Sequence, residues 1–435
     1  MKAQSIKVAA IGPSALVDEM LAVARCLRGL QVLPFAYQTA SEAPRLCAAA
    51  SKQAEVILFT GPVGYRQAMR EHRPGVPTTF IPYSPMWLYS SLFKVRDRGA
   101  LHRVSVDTIN RDVVEATYQE LGLDLETIKV LQYEGLADPE QVTEFHLKLF
   151  REGVTTHALT CLLAVYGRLQ GAGVSCSWLV PSRAAMEQAL EKAMYLAEGA
   201  RARGAQIVVG LVRARSDWKG MTQFEQQRLR LRAYEILLSH AEEVDGHVVD
   251  CGGGEYQFFT TRAEFEKTTS YYTCWPVLEK MAGAGLDMGA GVGFGITANE
   301  AGINARAALE EAVRQRGSSC YVILENKRLI GPLGSCPMSY DLRSTDPTLV
   351  QLARESHMAA VSLNRVAAAL SQLGDEFTAH DLASRLRVGL RTSHRVLSKL
   401  LASGYIVEAG QENAGSRGRP KRVFRVAVKL QSRGG

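Results

Sequence analysis

The sequence predicts a multidomain protein of mixed α/β and α+β class, in which two open parallel α/β lobes precede two smaller modules. With 435 residues, the chain is too long for one ordinary hydrophobic core, and roughly two to four domains are expected. Short β-rich runs alternate with helical patterns through about the first 200 residues, which is typical of parallel sheets covered by helices. Basic residues are concentrated near the carboxyl end, which indicates a separate module there.

The composition is that of a globular chain, with 46% hydrophobic and 22% charged residues. There is no run of about eighteen apolar residues, and residues 1–12 lack the apolar centre of a signal peptide. The eight cysteines stand singly, without a Cys-x-x-Cys pair or a Cys/His cluster at zinc spacing. We therefore expect a cytoplasmic protein with reduced, buried thiols, no membrane partner, and no metal or other cofactor.

Residues 1–97 form the first predicted lobe. Its β-rich runs span 6–12, 30–37, 55–61 and 79–83, with helical patterns between them at 15–28 and 43–52. Ligands of open parallel sheets bind beyond the carboxyl ends of the strands. Ser14, Thr60 and Gly61 follow two of these runs, and we assign them to a ligand-binding edge. No Gly-x-Gly-x-x-Gly follows the first strand and no Walker A sequence occurs, which argues against dinucleotide-binding and P-loop enzymes.

Residues 98–204 repeat this pattern and form the second predicted lobe. Its β-rich runs span 104–109, 128–133, 157–162 and 175–180, and its helical patterns span 111–121, 139–152, 163–171 and 182–203. Two such lobes in tandem enclose a cleft. The layout resembles the sensory domains of regulators that carry a two-lobed, periplasmic-binding-protein-like module. The alternative is that the lobes only provide a scaffold or a dimer contact.

Residues 205–330 form the third predicted module. A strand at 206–212 precedes a long helix at 222–243, and two strands at 247–251 and 257–260 meet at a glycine-rich turn. A strand at 291–295, a helix at 297–315 and a strand at 320–325 follow. This order resembles the ferredoxin-like palm of GGDEF nucleotide cyclases and of the archaeal type of GTP cyclohydrolase, with one extra strand before the second helix.

The same resemblance implies the loss of a metal site. In that fold, two metal ions are bound by an aspartate near the end of the first strand and by the acidic third position of the hairpin motif. Here the first strand continues into Arg213, and the third hairpin position is Gly254. We therefore assign no catalytic or metal-binding residue, although Asp217 and Asp250 are nearby alternatives.

The palm can still bind an anionic ligand. Arg213 and Arg215 lie two residues apart on a strand and share one face, so both can point at one anionic group. Thr297 begins a capping box at a glycine-lined helix N-terminus, which is a site for phosphate. Gly253, Gly254 and Glu255 of the hairpin turn complete the predicted site. The alternative is a structural or dimerising role for this module.

Residues 331–361 are interpreted as an ordered connector, and residues 362–435 as a DNA-binding domain. Helical patterns span 362–373, 379–386 and 391–403, and strand-like runs span 405–408 and 423–428. The segment contains 13 Lys and Arg against 5 Asp and Glu, a net charge of +8, whereas the whole chain has +7. All of the excess positive charge is therefore in this domain.

The third helix of this domain has an apolar side and a cationic side. Arg391, Arg395 and Lys399 follow a four-residue spacing and share the cationic side. Thr392 or Ser393 can cap the helix, at the end that a recognition helix points toward base edges. The glycine-rich loop between the strands would lie along phosphates, with contacts from Arg417, Arg419, Lys421 and Arg422. The segment resembles the winged helix–turn–helix of bacterial transcription regulators; the alternative is a basic module for protein interaction.

Taken together, the sequence predicts a ligand-responsive transcription regulator. Its expected partners are double-stranded DNA, a small-molecule or nucleotide effector, and a second copy of the chain, because two-fold half-sites multiply affinity. The alternative is an enzyme, a metal-dependent nucleotide cyclase or a GTP cyclohydrolase-like protein with an accessory winged helix. A third interpretation leaves the palm inert and assigns all sensing to the amino-terminal cleft.

Overall fold

A computed structural model describes residues 5–71, 73–96, 103–132, 138–215, 220–315, 317–334, 337–342, 346–412 and 421–427. The chain divides into two compact units, Met1–Arg201 and Ala202–Gly435. Each unit has hydrophobic clusters of its own. Along the described part of the chain, no helix combines the length and the apolar character needed to cross a membrane.

The first lobe alternates strands with helices. Its strands are β1 (Ile6–Pro13), β2 (Leu30–Tyr37), β3 (Val56–Phe59) and β4 (Thr78–Phe80). Its helices are α1 (Ser14–Ala24), α2 (Ala43–Ala50), α3 (Pro62–Glu71) and α4 (Pro85–Arg96). The strands are all parallel, in the order β2-β1-β3-β4. The central strands β1 and β3 are almost wholly apolar and buried, as expected for strands covered on both faces.

The second lobe has the same organisation. Its strands are β5 (Val104–Val106), β6 (Ile128–Val130), β7 (His157–Thr160) and β8 (Cys176–Trp178). Its helices are α5 (Arg111–Glu120), α6 (Pro139–Arg151), α7 (Leu163–Gly171) and α8 (Arg183–Gly204). The sheet is parallel in the order β6-β5-β7-β8. The prediction of two tandem parallel α/β lobes is confirmed.

Helix α8 follows the second lobe in sequence but packs on the first. Met186, Leu190 and Ala193 are fully buried in the same cluster as Val8 and Leu58 of the first sheet. The sequence pattern showed the apolar face of this helix, but not which lobe it covers.

The second unit begins with a larger sheet. Its strands are β9 (Ile207–Ala214), β10 (His247–Gly252), β11 (Glu255–Thr261), β12 (Met288–Phe294), β13 (Ser319–Ile323), β14 (Arg328–Gly331) and β15 (Met338–Asp341). Its helices are α9 (Gln223–Glu243), α10 (Arg262–Thr268), α11 (Pro276–Gly283) and α12 (Ala298–Arg314). The strand order is β10-β11-β9-β12-β13-β14-β15. Residues 338–341, which we interpreted as connector, thus extend the sheet.

The predicted extra strand before the second helix is present as β12. It pairs antiparallel with β9 in the centre of the sheet, a position that the sequence did not indicate. The crossover between β11 and β12 consists of α10 and α11, and α12 then leads to β13, which pairs parallel to β12. The glycines of β12 explain how α12 can pack directly against this strand. A Cβ atom on Gly291 or Gly293 would lie 2.0 Å from the backbone of α12, so only glycine lets the helix approach the sheet this closely.

A helical segment with a small sheet completes the second unit. Its helices are α13 (Pro347–Glu355), α14 (Ala360–Leu370), α15 (Ala379–Leu386) and α16 (Leu390–Ala402). Its strands are β16 (Glu376–Thr378), β17 (Ile406–Glu412) and β18 (Lys421–Val426), antiparallel in the order β16-β18-β17. Leu363, Leu382, Leu397, Leu400 and Phe424 are buried together in its core. Strand β16 is too short to be seen in the sequence pattern.

Helix α14 also contacts the larger sheet. Asn364 on α14 donates a hydrogen bond from Nδ2 to the carbonyl oxygen of Asp341 on β15, at 2.7 Å. Met338 on β15 belongs to the hydrophobic core that contains Leu363 and Val366 of α14. The small sheet and the larger sheet are therefore joined by packing within the second unit.

Candidate functional site

Helix α16 begins at a tight turn after α15. Arg387 ends α15 in the left-handed conformation, with φ of 51°. Gly389 is the N-cap of α16, and its cap has no side-chain hydrogen bond. We predicted that Thr392 or Ser393 would cap this helix, and that prediction is wrong. The Ser393 hydroxyl instead donates to the carbonyl oxygen of Ala379 at 2.8 Å, and the residue is fully buried.

The remaining side chains of α16 divide between a buried and an exposed face. Leu397 and Leu400 are buried, whereas Arg391, His394 and Arg395 are exposed. The structure thus brings Arg391 and Arg395 together on one cationic surface, and adds His394 to it.

Lys399 and Thr392 lie at the edge of this surface and not at its centre. Both are half-buried and line a groove of about 330 Å³ beside α14, together with Arg395 and Arg365. The Lys399 ammonium donates to the carbonyl oxygen of His357 at 2.9 Å. This hydrogen bond ties the third turn of α16 to the turn that precedes α14.

The hairpin of β17 and β18 adds further basic side chains. Lys421 and Arg422 are both exposed at the start of β18, and Arg422 pairs with Glu408 at 3.0 Å. Arg425, which was not among the predicted residues, is also exposed on this strand. Arg417 and Arg419 lie outside the described residues.

The predicted ligand residues of the larger sheet form an ion-pair cluster. Arg213 and Glu255 are directly opposite each other on β9 and β11, and Arg213 Nε donates to Glu255 Oε2 at 2.8 Å. Arg306 on α12 approaches the other carboxylate oxygen at 3.6 Å. The positive charge of Arg213 is therefore compensated by a neighbouring carboxylate, and the cluster as a whole keeps one uncompensated positive charge.

Arg215 does not join this cluster. Its side chain is only 7% exposed and lies 3.9 Å from Asp287. It donates to the Ser319 hydroxyl at 2.8 Å and to the carbonyl oxygen of Ala312 near the end of α12. Burial lowers the pKa of Arg215. Arg213 and Arg215 lie on the same side of the chain, but Arg215 forms its hydrogen bonds with the end of α12 and with β13.

In the glycine turn and at the start of α12, polar side chains form hydrogen bonds with backbone groups of the same segment. Gly253 and Gly254 have φ of 63° and 79°, the left-handed region that a two-strand connection of this kind requires. Asp250 accepts from the Gly252 N–H at 2.8 Å, so its carboxylate stabilises the turn. The Thr297 hydroxyl accepts from the Glu300 N–H at 3.2 Å, which caps α12. Asp217 lies outside the described residues.

Beside this cluster, α12 and the sheet border an open groove of about 580 Å³. Leu211 and Gln257 of the sheet and Gly302, Arg306 and Glu310 of the helix line this groove. Arg306 was not predicted, because it stands more than fifty residues from Glu255 in an ordinary helical pattern. Among the residues that the structure describes, no three His, Cys, Asp or Glu side chains come together as a possible metal site.

In the first lobe, the predicted ligand residues lie at the carboxyl ends of two paired strands. Ser14 follows β1 and begins α1, and Thr60 and Gly61 follow β3. Thr60 is 2% exposed, and its side chain packs against Gly12, where a Cβ atom would lie 2.0 Å from the hydroxyl oxygen. Thr60 thus fixes the edge of the sheet, while Ser14 and Gly61 are partly exposed.

A buried polar group that was not predicted lies at the corresponding edge of the second lobe. Asp107 follows β5 and is fully buried, with His146 Nε2 at 2.9 Å from one carboxylate oxygen. The hydroxyl of Thr108, which has φ of 59°, donates to the other oxygen at 2.7 Å. Burial raises the pKa of the neighbouring Tyr83 and Cys161. A polar residue directly after a buried strand was the one available signal.

Comparisons with known proteins found structural similarity only. No protein-family model matches the chain, and no curated protein matches its sequence. An NtrC family transcriptional regulator from Clostridium acetobutylicum is 12% identical, with 45% of this chain and 98% of that chain covered and a TM-score of 0.38. A LacI family transcriptional regulator from Silicibacter pomeroyi is 14% identical, with 44% and 92% covered and a TM-score of 0.27. Unliganded arylmalonate decarboxylase is 19% identical, with 44% and 93% covered and a TM-score of 0.19. These similarities do not assign the chain to a family.

Proposed function

We propose that this protein is a ligand-responsive transcription regulator that binds double-stranded DNA through α16. The observation that carries the proposal is the exposed cationic face of α16, with Arg391 and Arg395 at its centre. The described part of residues 360–427 comprises three helices and a three-stranded antiparallel sheet, and this combination supports the proposal of a winged helix–turn–helix. In this interpretation, α16 enters the major groove and the β17–β18 hairpin is the wing.

Charge supports a nucleic-acid partner. The segment 362–435 has a net charge of +8, and the remainder of the chain has −1. Phosphate neutralisation supplies affinity that does not depend on sequence, whereas contacts to base edges supply specificity. We assign Arg391 and Arg395 to the groove and the hairpin residues Lys421 and Arg422 to phosphates.

Two variants test these roles. We expect Arg391→Ala to weaken binding to a duplex selected from a random pool by about 1–3 kcal/mol, with a smaller loss on random duplex. Lys421→Ala should weaken binding to both duplexes equally. It should also reduce the slope of log affinity against log salt concentration by roughly one. Fluorescence anisotropy of the full chain at several salt concentrations measures both effects.

The matched control is Arg151→Ala, which removes an exposed arginine from α6 in the other unit. It should leave DNA affinity unchanged. Equal losses for Arg391→Ala and Lys421→Ala on both duplexes would contradict the assignment of α16 to the major groove. No measurable binding of the full chain to DNA at low salt would contradict the proposed function itself.

We assign the effector to the groove beside α12. Its volume of about 580 Å³ is that of a small-molecule site, and its polar side chains are those of Gln257, Asn299, Arg306 and Glu310. These groups suit a polar or anionic metabolite, including a nucleotide, bound without a metal ion. The edge of the first-lobe sheet, with Ser14, Thr60 and Gly61, is the alternative position for the effector.

Thermal unfolding against a panel of nucleotides and metabolites tests the effector site. A ligand at about one hundred times its dissociation constant adds about 2.7 kcal/mol to the free energy of unfolding. We expect Arg306→Ala to abolish the shift, whereas Arg314→Ala, an exposed arginine at the end of the same helix, should retain it. A shift that persists in Arg306→Ala but disappears in Ser14→Ala would move the site to the amino-terminal lobes. A shift that requires magnesium and is accompanied by turnover of GTP or ATP would favour the cyclase or cyclohydrolase alternative.

A further inference from the structure

Helix α9 carries an exposed apolar ridge. Phe224, Leu231 and Leu238 are 77%, 69% and 44% exposed, and they follow one another at intervals of seven residues. Residues at this spacing share one side of a helix, and the ridge is about 21 Å long at 1.5 Å per residue. Single exposed apolar side chains are common on protein surfaces, but an aligned row marks an interaction surface.

The helix cannot rotate to bury this ridge. Its opposite face is fixed in the core of the second unit by Ala233, Leu237 and Ala241, which are all buried. Its first turn is fixed by a capping box between Thr222 and Glu225. The ridge is therefore held in position before any partner binds.

The charges beside the ridge are arranged asymmetrically along the helix. Arg228 lies four residues after Phe224, and Glu235 and Glu242 lie four residues after Leu231 and Leu238. All three charged residues are exposed. One flank of the ridge is thus basic in its first half and acidic in its second half.

We propose that α9 is the dimer contact of this protein, and that two copies pair their α9 helices in antiparallel orientation about a two-fold axis at Leu231. In this arrangement Phe224 packs against the partner's Leu238, and Leu231 packs against the partner's Leu231. Arg228 then faces the partner's Glu235, and the two-fold axis repeats this ion pair.

The charges select both the partner and the orientation. In an antiparallel pair, the two-fold axis keeps this flank of both helices on the same side of the contact, so the basic half of one copy faces the acidic half of its partner. In a parallel pair, the two-fold axis places this flank on opposite sides of the contact, and Arg228 does not meet the partner's Glu235. A surface that is complementary to itself under a two-fold rotation fits a second copy of the same chain. Because three apolar side chains per copy form a small contact, the dimer should be reversible and dependent on concentration.

Sedimentation velocity of the full chain without DNA, over a range of concentrations, tests the contact. We expect a monomer–dimer equilibrium whose dissociation constant increases at least about ten-fold in Leu231→Gln. The control Tyr195→Gln replaces a 74% exposed side chain on α8 in the other unit and should leave the equilibrium unchanged. Both positions are exposed, so the thermal unfolding midpoint of each monomer should stay close to that of the unmodified chain.

A charge exchange tests the orientation. Arg228→Glu and Glu235→Arg should each weaken the dimer, and the double variant should restore the dissociation constant to within about two-fold of the original. The proposal is overturned if the chain is monomeric at every concentration, if Leu231→Gln dimerises normally, or if the double exchange does not restore association. Because no DNA is present, failure of this contact is distinct from failure of the proposed DNA-binding function.

Discussion

At the scale of single residues, buried polar side chains fix the relative positions of neighbouring helices and strands. The Ser393 hydroxyl joins α16 to the start of α15 through the carbonyl oxygen of Ala379. Arg215 joins the end of β9 to the end of α12 through the carbonyl oxygen of Ala312. Both side chains are shielded from solvent, so we expect these contacts to matter more for stability than exposed ion pairs do.

We expect Ser393→Ala to lower the free energy of unfolding by about 1–2 kcal/mol, because it leaves the buried carbonyl oxygen of Ala379 without this donor. Chemical denaturation of the full chain measures the loss. Ser398→Ala is the matched control on the same helix, since its hydroxyl is exposed and bonds only to the preceding turn. The control should change stability by less than about 0.5 kcal/mol. An equal effect of the two substitutions would show that the buried hydrogen bond contributes nothing.

His240 predicts a dependence of stability on pH. It is 2% exposed, and its Nε2 accepts a hydrogen bond from Trp275 Nε1 at 3.0 Å, which requires a neutral ring. Burial lowers the pKa of His240 below its ordinary value of 6.5, although Glu243 at 3.7 Å opposes the shift. The unfolded chain therefore takes up a proton as the pH falls through about 6.5, while the folded ring stays neutral until a lower pH.

We accordingly expect the second unit to be fully stabilised by this residue above about pH 6.5 and to lose stability as the pH falls below it. Denaturant unfolding at about pH 5.5 and about pH 7.5 measures the difference. His240→Gln keeps a polar side chain but cannot titrate, and it should show a smaller difference between the two pH values. An unchanged difference would assign the pH dependence to other groups.

The sequence predicted some of these residues and not others. Arg391 and Arg395 were predicted correctly to share one side of α16, because helical periodicity fixes the direction of a side chain relative to the helix core. The same periodicity says nothing about hydrogen-bond partners from other elements. Ser393 was therefore placed with the cationic residues, and Arg306 was not selected.

At the scale of elements, close contact between α12 and β12 organises the larger sheet. Alternating glycines on β12 leave room for the helix backbone, and the helix presents small residues such as Ala301 and Ala305 in return. The sequence predicted both elements, because their periodicities are clear. It did not predict that β12 pairs with β9, since the pairing of strands depends on contacts between distant segments.

Gly293→Ala should therefore destabilise the second unit by about 3 kcal/mol or more, because its Cβ would lie 2.0 Å from the carbonyl oxygen of Ala301 and the helix would have to move. Gly283→Ala at the end of α11 is the control, since a Cβ there meets nothing within 4 Å. It should be neutral or slightly stabilising. Thermal unfolding of both variants compares them, and a Gly293→Ala protein of normal stability would show that α12 does not pack this closely.

At the scale of the whole molecule, the chain consists of two compact units with separate hydrophobic clusters. The length of the chain predicted several domains, and the charge distribution predicted that the carboxyl-terminal segment differs from the rest. The sequence did not show that α8 closes the first lobe. Amphipathic helices reveal that one face is buried, but not which sheet covers it.

Residues 1–204 and 205–435 should fold as separate fragments, since each contains complete hydrophobic clusters. We expect each purified fragment to show a cooperative thermal transition and the circular dichroism of its mixed helices and strands. A fragment that unfolds without a cooperative transition would show that its core depends on the other half of the chain.

Helix α14 contacts both the larger sheet and α16, and movement of one can therefore reach the other. Its Asn364 is bound to the last strand of the larger sheet, and the turn before it is bound to Lys399 of α16. The helix that we assign to DNA is therefore connected to the edge of the larger sheet through contacts with one intervening helix. A displacement of β15 would be transmitted to α16 through α14. If the proposed function is correct, two half-sites on a duplex tolerate little error in spacing, so such a movement would change the fit of α16 to DNA.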